Sequence, residues 1–111
     1  FTNCRMKSVV IEKCTMVYTV FDDSDMKNGG IYDSKFNEGS FSNVSSDGFC
    51  IHSTDLASTS FKDTMLSSLS LKQSDMGGIF LSFSFKELNG ARLDVSQALA
   101  AARIVGVIIT D

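Results

Sequence analysis

The chain has 111 residues, of which 43% are hydrophobic and 21% charged, and its formal net charge at pH 7 is -3. The length fits a single domain, and the apolar content excludes an intrinsically disordered chain. The slightly acidic balance argues against direct nucleic-acid binding, and no apolar run approaches the roughly 20 residues of a membrane-spanning helix.

Proline and cysteine usage narrow the class further. The chain contains no proline, although ordinary usage would supply about 5, so nearly every backbone N–H is expected to serve in a hydrogen-bonded ladder. The three cysteines are an odd number without a C-x-x-C pair, which disfavours a disulfide framework. Reduced thiols favour a cytoplasmic location. Because the chain opens with Phe1 rather than Met, we expect its natural N-terminus to lie upstream.

A five-residue repeat occupies most of the chain. When the sequence is divided into fives from Phe1, we call the first residue of each five, through Leu81, a leading residue. Of these 17 residues, 16 are Phe, Met, Ile or Leu, and Ser46 is the exception. The residue two places before each leading residue, here called the small position, is small or β-branched in 14 of 16 cases. The other three places are mostly polar.

A period of five fits neither an α-helix nor a flat β-strand, whose side chains repeat every 3.6 and 2 residues. It fits a squared coil in which each five forms one side. The leading residue and the small position then face inward, and the other three places face water. Successive coils stack at about 4.8 Å and pair their backbone groups, which proline would interrupt. Cys4 and Cys14 fall in small positions, so we expect them to be interior filling residues.

On these leading residues and small positions, residues 1–81 resemble the pentapeptide-repeat family. The resemblance implies an all-β fold, a right-handed quadrilateral β-helix with four fives per coil and about four coils. The chain departs from the family consensus because Ser, Thr, Cys, Phe and Met replace the usual Ala and Asn/Asp-Leu pairs. We interpret Ser46 as a locally thin part of the core rather than as a site.

The period changes after Leu81. Phe83, Leu88 and Leu93 predict an irregular last coil in a register shifted by two residues. Residues 94–97 have the pattern of a capping box, and the Ala-rich segment after them predicts a helix that ends at Gly106. Residues 107–110 predict a short terminal strand. We therefore divide the chain into a repeat β-helix at 1–93, irregular from 82, and a helix–strand module at 94–111.

The terminal module is expected to cover the open end of the β-helix or to recruit a second copy. Its pattern, an Asp-x-x-Gln motif before Leu99 and an apolar end after Gly106, resembles the C-terminal module of stand-alone bacterial pentapeptide proteins. In the quinolone-resistance and microcin-immunity members this module dimerises the protein, and those relatives bind DNA gyrase through an acidic surface shaped like duplex DNA. The resemblance therefore implies a homodimer. The residues expected at the dimer contact are Leu99, Ile104, Val107, Ile108 and Ile109.

Assigning successive fives to four sides gives a charge map. The first and fourth sides are neighbours with a combined net charge of -4, whereas the second side, with Arg5, Lys7 and Lys27, is the only basic one. Such a one-sided field suits a protein that competes for a groove built for phosphates. Alternatively, the acids only solvate the repeat and satisfy its turns, for which Asp is well suited. The candidate partner-binding acids are Asp22, Asp23, Glu38, Asp55, Asp63 and Asp75.

Residues for enzyme chemistry are scarce. The single histidine, His52, lies near Cys50, but no third group at a recognisable spacing orients such a pair, and a convex side offers no cleft. The sequence contains no phosphate-binding loop motif and no set of metal ligands. We therefore expect a non-enzymatic protein that uses no cofactor and no metal.

Two functions stay open. The first is a cytoplasmic homodimer that binds and protects DNA gyrase by mimicking DNA, a role in antibiotic resistance. The second is a general protein-interaction scaffold, such as the repeat region of a larger bacterial protein or a secreted effector. In both, the partner is a protein, with no direct nucleic-acid binding and no membrane. The self-contained terminal module favours the first function, and the low total charge with a lysine-bearing side favours the second.

Overall fold

A computed structural model describes residues 2–106 of the chain. Within this range the regular elements are short strands, two single-turn 3₁₀ helices and one α-helix. The strands are β1 (Arg5–Lys7), β2 (Val10–Glu12), β3 (Asp25–Lys27), β4 (Gly30–Tyr32), β5 (Ser45–Asp47), β6 (Phe49–His52) and β7 (Leu69–Ser70). The 3₁₀ helices are Leu66–Ser68 and Lys86–Leu88, and the α-helix, α1, is Val95–Ile104.

The strands form two parallel sheets in which partners lie 20 residues apart in the chain. One sheet has the order β1-β3-β5 and the other the order β2-β4-β6-β7. In the second sheet Ile31 pairs with both Ile11 and Ile51. Isolated bridges extend the same offset beyond the strands, for example from Ser40 to Ser60. The described residues therefore form a mostly β solenoid of about three turns with one C-terminal helix, as the repeat predicts at this level.

The backbone follows the five-residue period. A residue with positive φ recurs at every fifth position from Asn3 to Asp63. This left-handed conformation turns the chain and is most easily adopted by Gly, Asn and Asp, which explains why these types are frequent at these places. Gly29 lies at a small position next to this series, and a side chain does not fit there, because a Cβ would lie 2.1 Å from the carbonyl oxygen of Val9.

The leading residues form the core, as predicted. From Phe21 to Met76 all of them except Ser46 are at most 2% exposed. Phe21, Phe41 and Phe61 stack ring on ring, with successive centroids 5.4 Å and 5.5 Å apart. Burial of one such side chain stabilises the fold by roughly 1.5–3 kcal/mol, so this aromatic column is a main source of stability.

Hydroxyl groups at the small positions connect neighbouring coils. Thr64 Oγ1 accepts a hydrogen bond from the Val44 N–H at 2.9 Å and donates to the carbonyl oxygen of Phe41. Ser74 Oγ accepts from the Thr54 N–H at 3.3 Å in the same way. A hydroxyl that is buried must find partners, and the ladder provides them. The abundance of Ser and Thr at small positions therefore has a structural reason.

The cysteines at small positions are less buried than predicted. Cys14 is exposed and Cys4 is half-buried, so the expectation that both are interior filling residues is wrong. The reason is that β1 and β2 are edge strands of their sheets, and no other described coil covers this end. The Cys4 and Cys14 N–H groups still donate to the hydroxyls of Ser24 and Ser34, at 3.2 Å and 3.1 Å. The pairing register of the coils is therefore maintained at this end, although the side chains there are not fully buried.

The chain leaves the repeat after Leu81, but the shifted register is wrong for Phe83. Leu88 packs against the core as expected, whereas Phe83 is fully exposed. The Phe85 N–H donates to the carbonyl oxygen of Ser82 at 3.0 Å. The chain therefore turns tightly at this point, and the turn leaves Phe83 in solvent.

The predicted helix is confirmed. The Asp94 carboxylate accepts a hydrogen bond from the Gln97 N–H at 2.8 Å, and Gln97 Oε1 accepts from the Asp94 N–H at 3.1 Å, which is a reciprocal capping box. The helix ends at Ile104, and Gly106 follows with a φ of +93°. The strand predicted at residues 107–110 lies outside the described residues.

Candidate functional site

The six candidate acids all reach solvent. We call them the acidic surface: Asp22, Asp23, Glu38, Asp55, Asp63 and Asp75. Asp22 and Asp55 are half-buried, and the other four are exposed. None of them is a leading residue. Because the leading residues form the buried core, each of these carboxyls lies at the surface of the solenoid.

Two of these acids stack directly on each other. Asp55 forms parallel bridges to Lys35 in the preceding coil and to Asp75 in the following one. Each aspartate also closes a local turn, because Asp55 Oδ1 accepts from the Ala57 N–H at 3.1 Å and Asp75 Oδ1 accepts from the Gly77 N–H at 2.9 Å. These carboxylates therefore stabilise local turns. They also place negative charge at the surface, with a spacing of about 4.8 Å between successive coils.

Asp22 and Asp23 are held by the next coil. Asp22 Oδ1 accepts from the Ser42 N–H at 2.9 Å and from the Ser40 hydroxyl at 2.5 Å. Asp23 Oδ1 accepts from Asn43 Nδ2 at 2.9 Å. Hydrogen bonds to charged acceptors are stronger than neutral ones, so the half-buried Asp22 carboxylate, which has two donors, is held in place. Asp23 is exposed and has one side-chain donor.

Asp63 is paired with a cation that the charge map did not count. Lys86 Nζ lies 2.8 Å from Asp63 Oδ1, and both side chains are about half exposed. The hydrogen bond from Lys86 and the attraction of its charge hold the pKa of the Asp63 carboxyl below its usual value. The same contact raises the pKa of Lys86. Because Lys86 follows the break in the repeat, the sequence did not place it here, and it reduces the net acidity of the first side by one charge.

Glu38 lies against an exposed aromatic hydroxyl. A hydrogen bond to Glu38 and the repulsion of its charge raise the pKa of Tyr18. Both residues have positive φ, 63° for Tyr18 and 57° for Glu38. Glu38 therefore occupies a corner of the solenoid that a smaller polar residue would fill more easily. No described backbone N–H donates to its carboxylate, unlike those of Asp55 and Asp75.

The basic side is less uniform than its lysines suggest. Within the sheet of β1, β3 and β5, Lys7 pairs with Lys27, and Lys27 pairs with Asp47. Arg5 pairs with Asp25. Opposite charges in neighbouring strands partly cancel, so this side is mixed, with two cations stacked at one position.

The predicted dimer residues are only partly described. Leu99 is 39% exposed on α1. Ile104 is half-buried and packs against the core of the same chain, so part of its surface is already covered. Val107, Ile108 and Ile109 lie outside the described residues. The homodimer stays a prediction.

Cys50 and His52 do not form a reactive pair with an orienting third group in the described structure. His52 Nε2 lies 2.9 Å from the Ser70 hydroxyl, and its ring meets the Tyr32 ring edge to face with centroids 5.5 Å apart. Across residues 2–106 no group of three or more His, Cys, Asp or Glu side chains is placed to hold a metal ion. Over the same range no helix is long and apolar enough to cross a membrane.

Sequence reasoning missed Glu87, the one fully buried charged side chain among the described residues. Glu87 Oε2 accepts from the N–H groups of Asp63 at 2.8 Å and Ser82 at 3.1 Å, and Oε1 accepts from the Ser82 hydroxyl at 3.0 Å. One coil earlier the Asn43 N–H donates instead to the Lys62 carbonyl at 2.9 Å. The Glu87 carboxylate thus replaces a backbone carbonyl where the repeat ends.

The same contacts decide the ionisation of Glu87. Burial alone would raise its pKa, but the backbone N–H groups of Asp63 and of Glu87 itself, together with Ser82, stabilise the charged form more. The pKa of Glu87 therefore lies below its usual value. No short sequence motif marks this residue, because its partners are 5 and 24 positions away.

Gln97 has the complementary role. It is buried, and its Nε2 donates to the carbonyl oxygens of Leu71 and of Ser74, the latter at 3.0 Å. One coil earlier the Ile51 carbonyl accepts from the Ser74 hydroxyl at 3.1 Å. Gln97 thus supplies donors that a further coil would supply. The capping-box motif identified Gln97, but only for its place in α1.

Comparisons with known proteins add no family assignment. No family model matches the chain, and no curated protein is matched either.

Proposed function

We propose that the chain is a pentapeptide-repeat protein whose fold is a right-handed quadrilateral β-helix of about four coils at residues 1–93, closed by a module at 94–111. Positive φ at every fifth residue from Asn3 to Asp63 supports this assignment. The constant 20-residue offset between paired strands is what four fives per coil would produce. Hydroxyl ladders at the small positions are compatible with the same geometry.

The proposed function is non-enzymatic protein binding, in which the acidic surface occupies a basic groove that normally holds duplex DNA. DNA gyrase is the proposed partner, and the chain would act as a cytoplasmic homodimer without a cofactor. The observation that carries this proposal is the stacking of Asp55 on Asp75 in successive coils, together with the hydrogen-bonded carboxylates of Asp22 and Asp23 elsewhere on the surface. Regularly spaced, immobilised negative charges are the feature of DNA that phosphate-binding grooves recognise.

A general protein-interaction scaffold is the second candidate. Lys35 lies in the same column as Asp55 and Asp75, and Lys86 neutralises Asp63. The turn contacts of Asp55 and Asp75 also explain those acids without any partner. On this alternative the chain is the repeat region of a larger bacterial protein or of a secreted effector.

The deciding experiment is a gyrase supercoiling assay with variants that remove charge but keep the turns. Replacing Asp22 and Asp23 by Asn retains a side-chain oxygen that can accept the same hydrogen bonds. The Glu38→Gln substitution removes a third negative charge from the acidic surface. On the proposed function, the three substitutions together weaken the effect on gyrase at least about tenfold, and the effect of the parent protein falls steeply with salt.

The matched control changes the opposite side. Replacing Arg5, Lys7 and Lys27 by Glu should leave the effect on gyrase intact or strengthen it. Circular dichroism and thermal unfolding of each variant show whether the solenoid persists. If the parent protein has no effect on gyrase, or if folded variants of both sides behave as the parent does, the mimicry proposal fails and the scaffold function stands.

A further inference from the structure

A groove of about 930 Å³ lies where the repeat meets the segment that leads into α1. The repeat contributes His52, Ser70 and Lys72 to its lining, and the later segment contributes Arg92 and Leu93. The acidic surface contributes no residue to it. Small-molecule sites in proteins have volumes of roughly 300–1,000 Å³. The groove is therefore large enough for an organic ligand and not only for a single ion.

The coil register brings an imidazole and an ammonium group into one column of this lining. His52 and Lys72 each lie one place after a leading residue, in successive coils. The Asp33 N–H donates to the His52 carbonyl at 3.1 Å, and the Ser53 N–H donates to the Lys72 carbonyl at 2.9 Å. Lys72 thus keeps the register of the coil before it, so its backbone lies about 4.8 Å from that of His52.

The imidazole ring of His52 is held in place by two neighbours. Its Nε2 lies 2.9 Å from the Ser70 hydroxyl, and the Tyr32 ring meets it edge to face with centroids 5.5 Å apart. In the part of the chain that the structure describes, Nδ1 has no hydrogen-bond partner. When the Ser70 hydroxyl donates to Nε2, Nδ1 carries the proton and is a donor. His52 therefore keeps one nitrogen available for a ligand.

The charges of the lining favour an anion. Lys72 and Arg92 are exposed, and neither forms an ion pair within residues 2–106. Asp94 is the only acid among the lining residues, and its carboxylate already accepts from the Gln97 N–H. The lining therefore contains two cations and one acid, although the chain as a whole has a net charge of -3. A concave site with this local charge attracts anions.

The lining also offers apolar surface. Leu93 and Cys50 both line the groove, and both are only half-buried. Ligand sites in proteins combine such apolar contacts with a small number of polar groups that fix the orientation of the ligand. An inorganic anion would leave this apolar surface unused, so the lining suits an anion that carries an organic group.

We propose that this groove binds a small organic phosphate monoester. Its phosphate lies between Lys72 and Arg92, and His52 supplies a further donor. Its organic part lies against Leu93 and Cys50. A guanidinium can donate two parallel hydrogen bonds to a phosphate, and an ammonium adds a compact charge. The site goes beyond the proposed gyrase contact because its ligand is an anion, whereas the acidic surface takes a basic partner.

The test is an NMR titration of the full chain with phenyl phosphate at neutral pH. The chemical shifts of the residues that line the groove should change, including the ring signals of His52. Phenyl sulfate has a similar shape but one negative charge, whereas a phosphate monoester has nearly two at this pH. It should bind at least about tenfold more weakly. Inorganic phosphate lacks the apolar ring and should also bind at least about tenfold more weakly.

Charge-neutralising variants complete the test. The Lys72→Gln, Arg92→Gln double variant should bind phenyl phosphate at least about tenfold more weakly than the parent protein. It should fold normally, which circular dichroism checks, because both side chains are exposed and have no described ion pair. Lys35 is exposed and does not line the groove, so the Lys35→Gln variant is the matched control and should keep the parent affinity.

Four outcomes overturn the proposal. The first is that the folded double variant binds as tightly as the parent protein, and the second is that phenyl sulfate binds as tightly as phenyl phosphate. The third is that inorganic phosphate binds as tightly as phenyl phosphate, because the organic part then contributes nothing. The fourth is that a short phosphoserine peptide binds more tightly than phenyl phosphate, because a phosphorylated protein segment would then be the occupant.

Discussion

The buried carboxylate of Glu87 provides the sharpest test of how the solenoid ends. In the Glu87→Ala variant, the N–H groups of Asp63 and Ser82 lose their acceptor, and so does the Ser82 hydroxyl. A buried polar group left without a partner costs about 1–3 kcal/mol. Because Asp63 is exposed and Ser82 is half-buried, we expect a total loss at the lower end of this range, near 3 kcal/mol for the three contacts.

The isosteric Glu87→Gln variant separates hydrogen bonding from charge. Its amide oxygen can still accept from the two N–H groups, and its NH₂ can donate to the Ser82 hydroxyl, so we expect a loss of only about 1 kcal/mol. The wild-type carboxyl has a pKa below its unfolded value of about 4.3. Its stabilisation is therefore fully present above that unfolded pKa and is lost as the pH falls through the lower folded pKa. In Glu87→Gln this contribution to the pH dependence disappears.

Urea unfolding from pH 7 to pH 3 measures both effects. A loss near 3 kcal/mol corresponds to a fall in the melting temperature of roughly 15 °C for a domain of this size. Lys86 also lowers the pKa of Asp63, so the Asp63→Asn variant is the control for the part of the acid sensitivity that Asp63 contributes. If Glu87→Ala is as stable as the parent at pH 7, or if Glu87→Gln keeps the full acid sensitivity, the carboxylate does not terminate the ladder.

Three further predictions concern the core and the assembly. Phe36→Asp should unfold the protein, because the fully buried ring lies 4.5 Å from that of Phe41 and an aspartate there finds no partner; an unchanged melting curve would contradict the buried column. Thr64→Val should lower the free energy of unfolding by about 2 kcal/mol in urea titrations, because the Val44 N–H loses its acceptor. The intact chain should sediment as a dimer and the Leu99→Asp variant as a monomer, whereas a parent protein that stays monomeric at high micromolar concentration would remove the dimer proposal.

The repeat made most of the core predictable. Each leading residue pairs with the equivalent residues 20 positions away, as Ile31 pairs with Ile11 and Ile51. A single repeat pattern therefore predicts the same core contact in every coil. The capping box was predictable for a different reason, because Asp94 and Gln97 contact each other within one helical turn. The periodic and the local contacts were therefore both readable in the sequence.

Contacts that are neither periodic nor local could not be read in this way. Glu87 reaches Asp63 across 24 positions, and Gln97 reaches Leu71 across 26. Each replaces a backbone group of a coil that is not there, so its position depends on where the repeat stops and on how the chain turns. Phe83 was misplaced because that turn depends on Ser82 and Glu87 rather than on the spacing of apolar residues.

The acidic residues can also be separated into those whose presence the fold explains and those whose presence it does not. An aspartate that closes a turn, as Asp75 does with the Gly77 N–H, is explained by the fold alone. Glu38 is not explained in this way: its φ is +57°, a conformation that favours Asn, Asp or Gly, and no described backbone N–H uses its carboxylate. Its described partner is the exposed Tyr18 hydroxyl, and residues that break a local rule without stabilising the backbone are where function is expected. Glu38 and the Tyr18 hydroxyl beside it are therefore the part of the acidic surface that the scaffold hypothesis explains least.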